Sequence, residues 1–219
     1  MTRVDNQETH PGVDTEHHGA RRRALLGAGL GGAALSLLPF LSGRAAAASD
    51  STVATTTTAP PLRPTDADIE ILSALQRIEL TAAELYGDAL AAVKWNDAQS
   101  IAVTTIRQAH VAFAGSLGGL LGKVAPDAKS ESLHSQLKAG FNSSNADTVL
   151  NAAYNLESGA VAAYAEAIAT LKGVNGSALA ASIQISEARH CTVLADLSGS
   201  TDLAQLLVDN EQTALQGNA

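Results

Sequence analysis

Aromatic residues, cysteine and basic clusters are all scarce in this chain of 219 residues. Phe, Trp and Tyr make up 3% of the sequence, whereas hydrophobic residues together make up 46%, so we expect a core of Ala, Leu, Val and Ile. Such a core favours closely packed helices over an aromatic-rich sheet sandwich. The single cysteine, Cys191, excludes an intrachain disulfide. A net charge of −8, with no basic cluster beyond the N-terminal segment, argues against nucleic-acid binding.

The first 48 residues have the three-part pattern of a secretory signal peptide. Arginines at 21–23 precede an apolar, glycine-rich run over residues 27–41, and small residues follow at 45–48. This order of basic, apolar and small-residue regions is typical of export signals. The pair Arg22 and Arg23, followed after one residue by two leucines, resembles a twin-arginine signal. We therefore predict a precursor exported by the twin-arginine machinery, with an ordinary secretory signal as the alternative.

Residues 49–64 are rich in Thr and Pro and have no hydrophobic periodicity. They predict a disordered linker between the signal and the folded domain. The apolar run at 27–41 is short for a membrane span, and no long apolar stretch follows residue 48. The mature chain is therefore expected to contain no transmembrane segment. The sequence leaves open whether the signal is cleaved or kept as an anchor, and whether the protein forms a homo-oligomer.

From residue 65 onward, apolar residues recur with the period of amphipathic helices. They predict four long helices at about 65–93, 97–121, 146–171 and 177–197, and a short tail helix at 202–215. Short connections join the first two helices and the last two, while a longer segment with a short amphipathic piece separates the second from the third. Two antiparallel hairpins joined by a long crossover are a known four-helix-bundle layout. We assign the bundle to residues 65–200 and a C-terminal helical tail to 201–219.

Every predicted long helix carries a polar residue at mid-length on its otherwise apolar inward face. These residues are Glu79 on the first helix, His110 on the second, Glu157 on the third, and Glu187 and His190 on the fourth. Glu187 and His190 are three residues apart and so share one helix face. Burying a carboxylate costs free energy unless a partner compensates its negative charge, and a metal ion is a common partner. Carboxylates and imidazoles that converge inside a bundle suit iron, manganese or zinc.

Four segments at these positions resemble the exported ferritin-like domain proteins of bacteria. They are LQRIELTAAELY at 75–86, QAHV at 108–111, LESGAVAAY at 156–164 and EARH at 187–190. The resemblance covers about residues 66–197 and implies an all-α, ferritin-like four-helix bundle with a carboxylate-bridged di-metal site. It further implies that Glu79 and Glu157 are terminal ligands, and that the second and fourth helices each supply a Glu-x-x-His motif.

The second helix departs from that pattern, because Arg107 stands three residues before His110 where a bridging glutamate is implied. With Arg107 pointing inward, three carboxylates and one guanidinium would leave two negative charges, which balance a single divalent ion. We expect Arg107 to bond to Glu79, and also to reach toward Glu157, in place of the first metal. The second metal position would then keep Glu157, Glu187 and His190.

Three functions remain open from the sequence. The first is a metal-binding ferritin-like protein that holds at most one divalent ion, iron or manganese. The second is a metal-free ferritin-like scaffold that serves as an envelope interaction module. The third is a di-metal oxidase or peroxide-handling enzyme, which Arg107 argues against because oxygen activation at such a site needs two bridged irons. The sequence does not decide whether the protein is an enzyme, and it names no substrate.

Overall fold

The structure, a computed structural model, describes residues 62–201 and 206–218. Its five helices are α1 (Asp66–Ala92), α2 (Asp97–Leu121), α3 (Glu131–Phe141), α4 (Ala146–Thr170) and α5 (Val174–Leu197), and a short 3-10 turn (Gly122–Val124) follows α2. The described residues contain no strand, so the all-α prediction is confirmed. None of these helices is long and apolar enough to cross a membrane. The predicted signal peptide at 1–48, and residues 49–61 of the predicted linker, lie outside the described residues.

Side chains directly before the long helices fix where they begin. Thr65 caps α1 and forms a reciprocal capping box with Asp68. Asn96 does the same for α2 with Gln99, and Asn145 caps α4. These side chains accept bonds from backbone N–H groups that the first turn of a helix leaves unpaired. Each such cap typically stabilises a helix by about 1 kcal/mol.

The helices pack as two hairpins, α1 with α2 and α4 with α5, and the hairpins close into a four-helix bundle through α1 on α4 and α2 on α5. The short helix α3 lies in the crossover and packs against α1 and α4. The two hairpins and the long crossover agree with the layout predicted from the sequence. At one end of the bundle, Asp68 of α1 accepts hydrogen bonds from the amides of Lys172 (2.8 Å) and Gly173 (2.9 Å), just after α4. These bonds tie the two hairpins together.

The last helix begins at Val174, three residues before the start at 177 that the sequence predicts. The prediction joined the two helices through residues 173–176, which include two glycines, and glycine weakens a helix. The amide of Gly173, at the N-cap position of this helix, donates to the Asp68 carboxylate. Gly176 is buried with its α-carbon facing Leu72, where an added methyl group would lie 3.5 Å from the leucine side chain. Packing therefore supports a first turn that local propensity disfavours.

Apolar packing forms two clusters, one toward each end of the bundle. The first includes Leu72, Leu75, Phe113, Leu117 and Ile183. The second includes Leu85, Val103, Ile106, Leu150 and Leu194. Removing apolar surface from water contributes roughly 25 cal/mol per Å², which makes these clusters the main source of stability. The polar residues at mid-length lie between the two clusters along every long helix.

The C-terminal tail follows the bundle surface. Where the sequence predicts a helix over 202–215, residues 206–218 form turns, bends and irregular chain, and residues 202–205 lie outside the described residues. The Asp209 side chain accepts a bond from the backbone of Glu211 (3.0 Å), a local turn that competes with helix formation. Further on, the Leu215 amide donates to the carbonyl of Gly159 on α4 (3.1 Å), and Gly217 lies directly against Ala74 of α1. The tail therefore covers the groove between α1 and α4.

Candidate metal centre

The polar residues predicted to face inward meet at one point in the middle of the bundle. They are Glu79 of α1, His110 of α2, Glu157 of α4, and Glu187 and His190 of α5. The three glutamates are fully buried at 0% exposure, and His190, at 8%, is the most exposed member. Each side chain projects from the middle of a long helix, so rigid secondary structure fixes the geometry of the centre.

His110 joins the carboxylates of two helices. Its Nδ1 lies 2.8 Å from Oε2 of Glu79, and its Nε2 lies 3.1 Å from Oε1 of Glu157. Burial disfavours a charged ring, but the carboxylates of Glu187 and Glu157 outweigh it and hold the pKa of His110 well above its ordinary value. His110 is therefore a buried imidazolium that donates one hydrogen bond to each of these two helices.

Glu157 and Glu187 share His190 but differ in acidity. His190 Nδ1 lies 3.0 Å from Oε2 of Glu157 and 3.2 Å from Oε2 of Glu187. Burial alone would raise the pKa of Glu157, yet the charge on His110 holds it well below its ordinary value. Burial and the neighbouring Glu157 carboxylate raise the pKa of Glu187 well above its ordinary value. Glu157 is therefore the more acidic of the two carboxyl groups.

Two tyrosines that the sequence analysis did not select complete the centre. Tyr86 of α1 donates a hydrogen bond to Oε1 of Glu157 on α4. Tyr164 of α4 donates to Oε1 of Glu79 on α1 at 2.6 Å. Burial and nearby carboxylates raise the pKa of both phenols well above its ordinary value, so both act as donors. The sequence spacing could have identified them, because each tyrosine follows the glutamate of its own helix by seven residues, or about two helical turns.

Arg107 lies outside the centre, and the expectation that it points inward is wrong. The residue is exposed, and its Nε donates to the carbonyl of Ala83 at the edge of the α1–α2 contact (3.1 Å), beside Gly87. A residue three positions before His110 is about 60° round the helix from it. A long side chain at that angle can run along the neighbouring backbone and keep its charge in water, which avoids a large desolvation cost. The buried cation expected from Arg107 is instead His110.

The two halves of the chain repeat the same spacings across the bundle. The matching pairs are Glu79–Tyr86 with Glu157–Tyr164, and Arg107–His110 with Glu187–His190. Arg107 thus stands in the α1–α2 hairpin where Glu187 stands in the α4–α5 hairpin. The sequence spacings of the two hairpins therefore repeat, and the residue type differs at this position.

Four residues of the centre each offer a donor atom that could hold a metal ion. The donor atoms of His110, Glu157, Glu187 and His190 all lie within 4.8 Å of one another. Oε1 of Glu187 is buried and makes no hydrogen bond among the described residues, although Nδ1 of His110 lies 3.6 Å away. Two carboxylates and two imidazoles form a donor set that suits divalent iron, manganese or zinc. The residues present therefore fit a divalent metal ion.

Comparison with known proteins agrees with this architecture. Residues 67–200 match the family model described as Ferritin-like domain, and the matched region contains every residue of the centre. No curated protein and no solved structure matches the chain.

Proposed function

Because the chain belongs to the ferritin-like domain family, we propose that it is an exported protein that holds at most one divalent metal ion, iron or manganese, in the middle of its bundle. The observation that carries the proposal is the cluster of four buried donor residues, His110, Glu157, Glu187 and His190. Oε1 of Glu187 adds support, because it is buried 3.6 Å from Nδ1 of His110 without a hydrogen bond, and a buried acceptor that lacks a hydrogen bond is costly. Export rests on the signal pattern in residues 1–48.

A limit of one ion follows from the asymmetry of the two hairpins. With neutral imidazoles, Glu157 and Glu187 carry two negative charges, which balance one divalent ion. A second ion would need another bridging carboxylate, and the corresponding position holds Arg107, whose side chain bonds to the Ala83 carbonyl of α1, outside the centre. The remaining carboxylate, Glu79, is bonded to His110 and Tyr164.

Binding of an ion would change the protonation of the centre. The ligands of a divalent metal are carboxylates and neutral imidazoles, so His110 and Glu187, whose surroundings raise their pKa values, would have to give up any proton that they hold. Tyr86 would continue to donate to Glu157 and keep that carboxylate oriented. Bound iron or manganese would supply Lewis acidity and one-electron chemistry at this point.

Metal content of the mature protein purified from its own host tests the proposal. We expect elemental analysis to find about one equivalent of iron or manganese, because the donor set supports a single site. His190→Ala should lose that metal, while His134→Ala, a change in the crossover helix, should retain it. Two equivalents in the wild type would contradict the limit of one ion and favour a di-metal oxidase or peroxide-handling enzyme.

A metal-free scaffold is the second candidate, and the hydrogen-bond network of the centre favours it. Glu79, His110 and Glu157 already satisfy one another, with help from the two tyrosines. A fully connected polar network can stabilise a bundle without any ion. In that case the protein would serve as an interaction module of the cell envelope, and neither the wild type nor His190→Ala would contain metal.

A further inference from the structure

Glu79 is fully buried, and each of its carboxylate oxygens is already engaged. Oε1 accepts from the Tyr164 phenol at 2.6 Å, and Oε2 faces His110 Nδ1 at 2.8 Å. Glu79 is not part of the group of four whose donor atoms lie within 4.8 Å of one another. The family resemblance implies a ligand at this position, but the contacts of the side chain lead to His110.

The imidazole ring gives this contact a specific consequence. Its two nitrogens point away from each other, so a ring whose Nδ1 faces Glu79 presents Nε2 to the opposite side. There Nε2 lies 3.1 Å from Oε1 of Glu157, one of the candidate ligands. Nδ1 is closest to Glu79, at 2.8 Å, and lies farther from Oε1 of Glu187, at 3.6 Å. A carboxylate that accepts the Nδ1 proton also selects the tautomer whose Nε2 lone pair is free for a metal.

We propose that Glu79 is a positioning residue in this protein, one that orients His110 and fixes its tautomer while His110 Nε2 binds the ion. Tyr164 holds Glu79 in turn, so a chain of three residues from α4, α1 and α2 leads to the ligand. This inference rests on the proposed function, since it assigns a role toward the same single ion.

His190 provides the contrast within the same centre. Its Nδ1 points at Glu157 and Glu187, which are themselves candidate ligands, rather than at a supporting carboxylate. The α4–α5 hairpin therefore supplies three of the four donor residues, whereas the α1–α2 hairpin supplies one donor and its support. This division accounts for a glutamate at position 79 in a hairpin that lacks a bridging carboxylate.

Titration with Co²⁺ of the metal-free mature protein tests this role, with absorption spectroscopy as the readout. Glu79→Gln can still accept the Nδ1 proton, so it should keep one Co²⁺ site and the wild-type spectrum, with affinity about tenfold weaker. Glu79→Leu cannot accept that proton and should weaken binding by about 100-fold, the upper range for loss of an outer partner. Glu157→Gln, an isosteric change at a ligand, is the matched control and should alter the spectrum itself.

Two further measurements separate positioning from ligation and from simple loss of structure. X-ray absorption should count the same number of nitrogen and oxygen ligands in wild type and Glu79→Gln. Nitrogen NMR of the Zn²⁺ form should show His110 protonated at Nδ1 in wild type and Glu79→Gln, and that signature should be lost in Glu79→Leu. Loss of one oxygen ligand in Glu79→Gln, or a spectrum changed as in Glu157→Gln, would make Glu79 a ligand and overturn the inference while leaving the proposed function intact. A wild type that binds no Co²⁺ would overturn both.

Discussion

The phenol of Tyr164 lies 2.6 Å from Oε1 of Glu79. Tyr164 follows Glu157 by seven positions along α4, yet it bonds to the glutamate of α1. Tyr86 makes the reciprocal bond to Glu157. The two bonds cross the bundle between the antiparallel helices α1 and α4, on either side of His110. Each glutamate therefore depends on the opposite hairpin for its orientation.

We expect Tyr86→Phe and Tyr164→Phe each to lower the free energy of unfolding of the metal-free protein by about 1.5–3 kcal/mol. The reason is that each change removes a buried hydrogen bond to a carboxylate, the stronger class of hydrogen bond in proteins. Urea denaturation after treatment with a chelator measures the effect. Tyr154→Phe is the matched control, because the phenol of Tyr154 donates to the carbonyl of Leu207 at an exposed site and its loss should cost about 1 kcal/mol or less. Equal losses in all three variants would contradict the assignment.

Arg107 provides a test of the difference between the two hairpins, since it stands where the α4–α5 hairpin has Glu187. Arg107→Ala should leave metal content unchanged, because the guanidinium lies outside the centre. Arg107→Glu should raise the content from about one ion toward two, since it places a carboxylate where Glu187 stands in the other hairpin. Elemental analysis of both variants beside the wild type measures this. An increase in Arg107→Ala, or none in Arg107→Glu, would show that position 107 does not limit the number of ions.

Asp68 should make the protein sensitive to acid. Burial would raise the pKa of Asp68, but bonds from the amides of Lys172, Thr65 and Gly173 outweigh it and hold the pKa below its ordinary value of 3.8. A carboxylate with a lowered folded-state pKa stabilises the protein fully above its ordinary value, and this stabilisation is lost as the pH falls through the folded-state value. Asp68→Ala should cost about 2–3 kcal/mol at pH 7, and the difference from wild type should shrink below pH 3.8.

Urea denaturation at several pH values between 7 and 2.5 measures that difference. Asp66→Ala is the control, because Asp66 lies in the same helical turn but is exposed. The assignment is wrong if Asp66→Ala costs as much as Asp68→Ala, or if the cost of Asp68→Ala does not change with pH.

Arg22 and Arg23 should be required for export. Changing both to lysine should leave the precursor in the cytoplasm, because twin-arginine recognition needs the arginine pair whereas an ordinary secretory signal needs only positive charge. Fractionation of cells that express the precursor with and without the double change measures this. The matched control is Arg44→Lys, a conservative change next to the small residues that end the signal, and it should be exported normally. Unchanged export of the double-lysine form would assign the ordinary secretory route.

The helices were predictable because their signals are local. Thr65 and Asn96 cap helices in the structure where the sequence places starts, and apolar periodicity placed Glu79, His110, Glu157 and the remaining inward residues on the correct faces. The start of α5 was less predictable, since the amides just before it donate to Asp68, a residue more than 100 positions away. The tail differs for a similar reason, because the side chain of Asp209 and the packing of Leu215 on Gly159 compete with local helix formation.

The centre was predictable in its members but not in its bonding. Periodicity predicts which face of a helix a residue occupies, but not where a long side chain runs. The Arg107 side chain is long enough to turn away from the inward face, whereas a shorter side chain at that position would stay on it. The roles of Tyr86 and Tyr164 depend on contacts between α1 and α4, which a single sequence does not specify. Their equal spacing from Glu79 and Glu157 is visible in the sequence, but it acquires meaning only once the two helices are known to be antiparallel.

The hydrogen bonds between helices at the centre have a consequence for the order of folding. The shortest separation along the chain is 31 positions, between Glu79 and His110, and the longest is 85 positions, between Glu79 and Tyr164. Each hairpin can assemble through local contacts, whereas the bonds between hairpins form only after a costly long-range closure. We therefore expect docking of the hairpins to be a late event, so that weakening Tyr164 or Glu157 accelerates unfolding more than it slows folding. The lifetime of the folded protein, more than the speed at which it is reached, is then set by these few buried polar side chains.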